Sequence, residues 1–158
     1  MAADVTLATA NAAVQAAPTA KTRLGAVPAT PETRILLDTY TIADALEVGD
    51  KIRVRKVQGG SVILPTQSDI AEASTASALT LDVGVYQVAE DGTIGTVIDA
   101  DILADGVDFA GAGVYIARPY TVPTTYQEVW IVAEVMAITG TTVAAETIDF
   151  YTAVNSET

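Results

Sequence analysis

The sequence predicts an all-β protein, a β-sandwich or barrel of six to eight short, mainly antiparallel strands that follow an extended N-terminal arm. Three observations predict it. Ala, Val, Thr and Ile dominate the apolar residues, and β-branched side chains favour strands over helices. Apolar and polar residues alternate over short runs, and glycine-containing turns separate those runs.

The predicted arm covers residues 1–31, and the β-sandwich domain covers residues 32–158. The arm is rich in Ala and Thr, contains Pro18, Pro28 and Pro31, and has few large apolar side chains with which to build a core. Two interpretations stay open for it. It is either a disordered tail or an arm that becomes ordered on a neighbouring subunit.

The first half of the domain contains four predicted strands. They cover residues 33–42, then 51–57 after a turn at Gly49-Asp50, then a short apolar run that ends at Pro65, and finally the alternating run "SALTLDVGVYQV". A turn at Gly59-Gly60 separates the second strand from the third, so the two are expected to form a hairpin.

The second half begins with a loop around Asp91-Gly92. Residues 99–104 are expected to form one helical turn, with Asp99 as the N-cap. A short strand is expected at 114–116. The run "TYQEVWIVAEVMAITG" is the strongest strand, and because both of its faces are largely apolar it is expected to be central. Gly140 then turns the chain into the last strand, "TVAAETIDFYTAV".

Composition excludes several function classes. The chain has a formal net charge of −12 and contains no His and no Cys, so disulfides, thiolate chemistry and histidine-based catalysis are absent. From Val57 onward, 14 acidic residues accompany a single basic one, Arg118. Such a surface repels phosphate backbones and anionic lipids, so neither a nucleic acid nor a membrane is an expected partner. No signal peptide and no membrane-spanning run is evident, which predicts a soluble chain.

Half of the eight Lys and Arg residues lie in the segment "KIRVRK". Regular alternation puts Lys51, Arg53 and Arg55 on one face of a strand, and Ile52, Val54 and Lys56 on the other. One interpretation is a solvated face that pairs with the chain's own acids or protects an edge strand. The other is an interface with acidic patches on copies of the same protein or on a scaffold. The candidate interface residues are Lys51, Arg53, Arg55 and Lys56, together with Lys21 and Arg23 of the arm.

Candidate catalytic and metal-binding residues fail the tests of spacing. The acidic segment contains Asp99, Asp101, Asp105 and Asp108. Counted from Asp99, it lacks the ligand and glycine positions of an EF-hand. Two interpretations of this segment remain: a solvated loop, or an irregular cation site at a subunit contact. Glu128 and Glu134 are the best candidates for a glycosidase carboxylate pair, although surface strand positions explain both. No nucleotide-binding glycine motif is present. We therefore expect no enzymatic activity, no cofactor and no metal.

The order of these segments resembles the head decoration, or cement, proteins of tailed bacteriophages, which are structural proteins of the capsid. The resemblance covers about residues 33–154 and consists of turns and strand alternation. Gln58 stands where those proteins usually have Pro. The matching positions are Asp50, Ile52, Val54, Lys56, Gly60, Val62, Leu64, Leu81, Gly84, Asp99, Asp101, Gly140 and Thr141.

The resemblance implies a virion structural protein that is made in the host cytoplasm and attaches to the outer surface of a capsid. Its implied partners are the major capsid protein and further copies of itself, since decoration proteins often form trimers. It implies no enzymatic activity. Two alternatives stay open: a component of the tail or of the head–tail connector, and a carbohydrate-binding or hydrolytic β-sandwich on the virion surface.

Overall fold

The computed structural model describes residues 6–8, 33–42, 45–64, 69–72, 78–108, 115–116, 119–140 and 147–155. All regular secondary structure in these residues is β-strand, which confirms the predicted all-β class. The strands are β1 (Thr6–Ala8), β2 (Thr33–Thr41), β3 (Lys51–Gln58), β4 (Val62–Ile63), β5 (Asp69–Glu72), β6 (Ala78–Val88), β7 (Ile94–Asp108), β8 (Tyr115–Ile116), β9 (Tyr120–Thr121), β10 (Glu128–Thr139) and β11 (Thr147–Asn155).

The strands form two sheets. The first sheet has the order β1-β3-β10-β6-β7. In the second sheet, β11 pairs with β2 along one edge, and with β5 and then β4 along the other edge. Strand β8 pairs with β5, and β9 pairs with β4. All pairs are antiparallel except β1 with β3. This arrangement confirms the predicted β-sandwich of mainly antiparallel strands.

Strand β10 occupies the centre of the first sheet, as its apolar faces predict. It pairs with β3 on one side and with β6 on the other. Its inward side chains, from Val129 to Val135, join the main core, while Trp130 and Val132 form a second apolar cluster on the outer face with Tyr86. Alternation along one strand therefore supplies two separate apolar contacts.

The main core lies between the two sheets. The first sheet contributes the inward residues of β3, β10 and β6, among them Ile52, Leu81 and Ile131, and the second contributes Ile63, Ile148 and Phe150. These six side chains are at most 2% exposed. Burial of such aliphatic and aromatic surface is the main force that holds two sheets together.

The expected helical turn at residues 99–104 is wrong, because β7 runs through the whole segment. Strand β7 pairs with β6 through repeated register shifts, including one between Val83 and Val85. The backbone of β7 crosses β6 closely at Gly84, where an added Cβ would lie 2.2 Å from the carbonyl oxygen of Asp99. A glycine in β6 thus allows β7 to bulge and still remain a strand.

Most of the predicted arm lies outside the described residues. Residues 6–8 are the exception: they form β1, which pairs with β3 in parallel, with Leu7 opposite Ile52. The division into an arm and a domain stays a prediction. Among the residues that the structure describes, no helix has the length and apolar character required to cross a lipid bilayer.

Candidate interaction surfaces

A β-bulge in β3 reverses the predicted direction of two of the four basic side chains, those of Arg55 and Lys56. Arg53 lies opposite Val132 and Arg55 lies opposite Ile131, so Val54 is an extra residue without an opposite partner. Arg55 consequently points inward and is buried, whereas Lys56 points outward. The predicted common face of Lys51, Arg53 and Arg55 is therefore wrong, since Lys56 takes the place of Arg55 on the outer face.

Inside the sandwich, Arg55 forms an ion pair between the two sheets. Its Nε donates a hydrogen bond to Oδ2 of Asp38 in β2, at 2.6 Å. The Asp38 side chain is fully buried, and that of Arg55 is nearly so. A buried ion pair requires both of its members, because either one alone would be an uncompensated charge in the core. Arg55 thus has a structural role, and it is not accessible as an interface residue.

The outward basic residues lie over aromatic rings of the same sheet. The Arg53 guanidinium and the Lys56 ammonium lie 5.7 Å and 5.0 Å from the centre of the Trp130 ring, and the Lys51 ammonium lies 5.9 Å from the Tyr86 ring. All three distances are within the range of cation–π contacts. We call these three residues, Lys51, Arg53 and Lys56, the outer basic face.

Much of the charge of the outer basic face is matched by nearby carboxylates. Lys51 Nζ lies 4.0 Å from Glu134 Oε2, and Lys56 Nζ lies 3.8 Å from Glu128 Oε2. Tyr86 also donates its hydroxyl hydrogen bond to Glu134 at 2.8 Å. This geometry favours the interpretation in which the basic strand pairs with the chain's own acids. It leaves less free positive charge than the sequence indicates.

Arg53 differs from the two lysines. Its Nε is buried and has no hydrogen-bond partner among the described residues. Burial lowers its pKa, and the negative charge of Asp91 acts in the opposite direction. A partly desolvated guanidinium above an aromatic ring is able to donate a further hydrogen bond to a carboxylate or carbonyl oxygen.

The turn after β6 covers Trp130. The indole Nε1 donates to the carbonyl oxygens of Gly92 at 3.1 Å and Thr93 at 3.2 Å. Asp91 stabilises the turn by accepting hydrogen bonds from the amide and the hydroxyl of Thr93. These two hydrogen bonds lower the pKa of Asp91. Trp130 is consequently fully buried, although it lies on the outer face of its sheet.

The acidic candidates do not assemble into a catalytic or metal site in the described residues. No group of three or more acidic side chains positioned to hold a metal ion occurs there, while the side chain of Asp108 lies outside the described part. Glu128 and Glu134 lie on the same strand six residues apart, about 20 Å at the rise of a β-strand. A glycosidase pair requires carboxyl groups less than about 10 Å apart.

Strand β2 carries an exposed apolar surface that the sequence reasoning missed. Ile35 is 63% exposed and Leu37 is 48% exposed, while Asp38 and Tyr40 on the opposite face are buried. The alternation of the strand was visible in the sequence. The sequence did not show which face points inward, because the inward face of β2 contains Asp38, whose charge is paired in the core with that of the distant Arg55. The arm candidates Lys21 and Arg23 lie outside the described residues.

The chain shares its fold with chains of two phage capsid structures. A chain of "Capsid of Ralstonia phage GP4" is 19% identical with a TM-score of 0.65, and the match covers 98% of this chain and 99% of that one. A chain of "Cyanophage Pam1 capsid asymmetric unit" is 14% identical with a TM-score of 0.51, and the match covers 89% of this chain and 97% of that one. No protein-family model and no curated protein matches the sequence.

Proposed function

We propose that this protein is a virion structural protein that binds the outer surface of a phage capsid and cements or decorates the lattice of the major capsid protein. One observation carries the proposal: nearly the whole chain corresponds to nearly the whole of a chain from the capsid of Ralstonia phage GP4. The similarity covers 98% of this chain and 99% of that chain, at a sequence identity of 19%.

The surface of the molecule supports a role in binding rather than catalysis. The candidate carboxylate pair, Glu128 and Glu134, is too widely spaced for glycoside hydrolysis, and the chain has no His and no Cys. An open depression of about 330 Å³ near the start of β10 is lined by polar side chains, by Val88 and Ala89, and by one aromatic ring, that of Tyr126. A sugar-binding site would be expected to offer more aromatic surface.

A cement protein stabilises a shell by mass action, because a molecule that binds only the assembled lattice shifts the equilibrium toward that lattice. Many weak contacts repeated over the shell are sufficient for this function. We propose that the outer basic face and residues 1–31 contact the major capsid protein and further copies of the chain. We expect the chain to form trimers with these copies. The protein would be made in the host cytoplasm and remain on the exterior of the virion.

The proposal is tested by adding the purified chain to capsids that lack it. We expect saturable binding at a fixed number of sites per shell, together with greater resistance of the shell to heat or to removal of salt. Capsids that bind no protein, or that bind it without gaining stability, would contradict it. The alternative of a tail or head–tail connector protein predicts binding only at one vertex, which electron microscopy of the same mixture distinguishes.

A further inference from the structure

Arg53 is the member of the outer basic face whose charge has no matching carboxylate. Lys51 and Lys56 have ion-pair partners in Glu134 and Glu128. Within the described part of the chain, the Arg53 guanidinium forms no ion pair and no hydrogen bond, and its Nε is buried without an acceptor. Unpaired buried donors of this kind are uncommon in native proteins and require an explanation.

The Arg53 guanidinium is also partly removed from water. It lies 5.7 Å from the centre of the Trp130 ring, and burial lowers its pKa. Asp91 opposes this shift without forming an ion pair, and the Oδ1 of Asp91 accepts hydrogen bonds from Thr93 instead. A cation that has lost water and gained no counter-charge is unfavourable, and a carboxylate brought next to it would restore the lost interactions.

A partner is able to reach this guanidinium from outside. Arg53 as a whole is only partly buried, and Nε is the nitrogen that is buried without an acceptor. The two Nη groups therefore remain at the surface, where they can donate hydrogen bonds to a carboxylate. Contact with the Trp130 ring limits the freedom of the guanidinium before a partner binds, which lowers the entropic cost of binding.

We propose that Arg53 is an anchor for a carboxylate, an aspartate or glutamate side chain that another protein of the capsid shell presents to the outer basic face. The inference rests on the proposed function, which supplies the shell, and it names the group that this face recognises. An anion is required because the Arg53 charge has no counter-charge of its own.

The net charge of the chain narrows the choice of partner. A nucleic acid is a polyanion, and a surface with a net charge of −12 repels it over its whole length. A second copy of the chain carries the same net charge of −12 and is repelled in the same way. A carboxylate on a different protein of the shell satisfies Arg53 without this general repulsion.

The test compares the wild-type chain, Arg53→Met and Lys51→Met for binding to capsids that lack the protein. Both variants remove one charge from the same face of the same strand and keep an apolar side chain. We expect Arg53→Met to bind about five-fold more weakly than the wild type. Lys51→Met is the matched control and should bind within about two-fold of it, because Lys51 is already paired with Glu134. Equal binding by the wild type and Arg53→Met would overturn the anchor and leave the proposed function intact.

The stability of the free chain distinguishes an anchor from a structural residue. Arg53→Met removes an unpaired buried donor, so its melting temperature should be no lower than that of the wild type. A lower melting temperature together with weaker binding would give Arg53 a structural role and overturn the anchor.

The chemistry of the partner is tested on capsids whose surface carboxyl groups have been converted to amides with a carbodiimide and an amine. On these capsids the wild type and Arg53→Met should bind equally, and both more weakly than the wild type binds untreated capsids. A five-fold difference that persists would overturn the carboxylate. A purified wild-type oligomer that dissociates in Arg53→Met would identify a second copy as its source, and would overturn the choice of a different protein. Wild-type protein that binds no untreated capsids would overturn both the anchor and the proposed function.

Discussion

The Nε of Arg55 donates a hydrogen bond to Oδ2 of Asp38 across the two sheets, and both side chains are buried between them. This contact joins β2 to β3. On β2, Ile35 and Leu37 point outward, on the face opposite Asp38, and on β3 the bulge at Val54 turns Arg55 inward, so that Lys56 takes its place on the outer face.

Asp38→Asn should lower the free energy of unfolding by about 3–5 kcal/mol, because it leaves the Arg55 charge buried without a counter-charge. Urea denaturation measures this. Asp149→Asn is the control, since Asp149 accepts only an exposed hydrogen bond from Thr39 and should change stability by less than about 1 kcal/mol. Replacing both partners, Asp38→Leu with Arg55→Met, should recover most of the loss. A double variant as unstable as Asp38→Asn would contradict this account of the pair.

Gly84→Ala should destabilise the protein by about 3 kcal/mol and loosen β7, since the new methyl group would overlap the backbone of Asp99 and Ala100. Amide hydrogen exchange measures the loosening residue by residue. Gly49→Ala is the control, because its methyl group would meet nothing within 4 Å; its positive φ of 96° strains the backbone by about 1–2 kcal/mol, but the exchange protection of β7 should stay normal. Normal protection of β7 in Gly84→Ala would show that the close crossing does not exist in solution.

Asp91 should titrate below its ordinary pKa of 3.8, because it accepts two hydrogen bonds from Thr93. A depressed pKa in the folded state adds stability that is complete above pH 3.8 and is lost as the pH falls through the folded value. Thr93→Val removes the hydroxyl and should raise the Asp91 pKa toward 3.8. Carboxyl chemical shifts followed by NMR between pH 2 and pH 6 test this, and an unchanged pKa in the variant would contradict it.

Charge reversal on the outer basic face should weaken binding to capsids. For Arg53→Glu with Lys56→Glu we expect a loss of affinity of several-fold and a weaker dependence on salt, because complementary charge mainly affects association and register. The conservative exchange Arg53→Lys with Lys56→Arg keeps the charge and serves as the control. Trp130, the single tryptophan, lies beneath both side chains and reports local changes by its emission. Undiminished binding of the reversed variant would remove this face from the interface.

Most of the architecture could be predicted from the sequence, because strand periodicity and glycine turns are local signals. The central position of β10 followed from its two apolar faces, and the strand from Lys51 was predicted at the correct place. The orientation of Arg55 could not be predicted, since the bulge at Val54 depends on how β3 aligns with β10.

The strand character of residues 99–104 was missed for a related reason. Asp99 and the alanines after it have the local pattern of a capped helical turn, but pairing with β6 is stronger than that preference. Glycine at position 84 permits this pairing, and its effect on a segment 15 residues away is not readable from the sequence alone. The exposed face of β2 depends in the same way on the distant Arg55.

The central claim is that this protein occupies repeated sites on the outside of a capsid. Cryo-electron microscopy measures this directly when virions of the wild-type phage are compared with particles of a phage whose gene for this protein has been deleted. We expect density that fits the two-sheet domain at lattice positions over the whole outer shell, and vacancies at those positions in the deletion particles. Identical outer surfaces in both particles, or density confined to a single tail-bearing vertex, would contradict the claim.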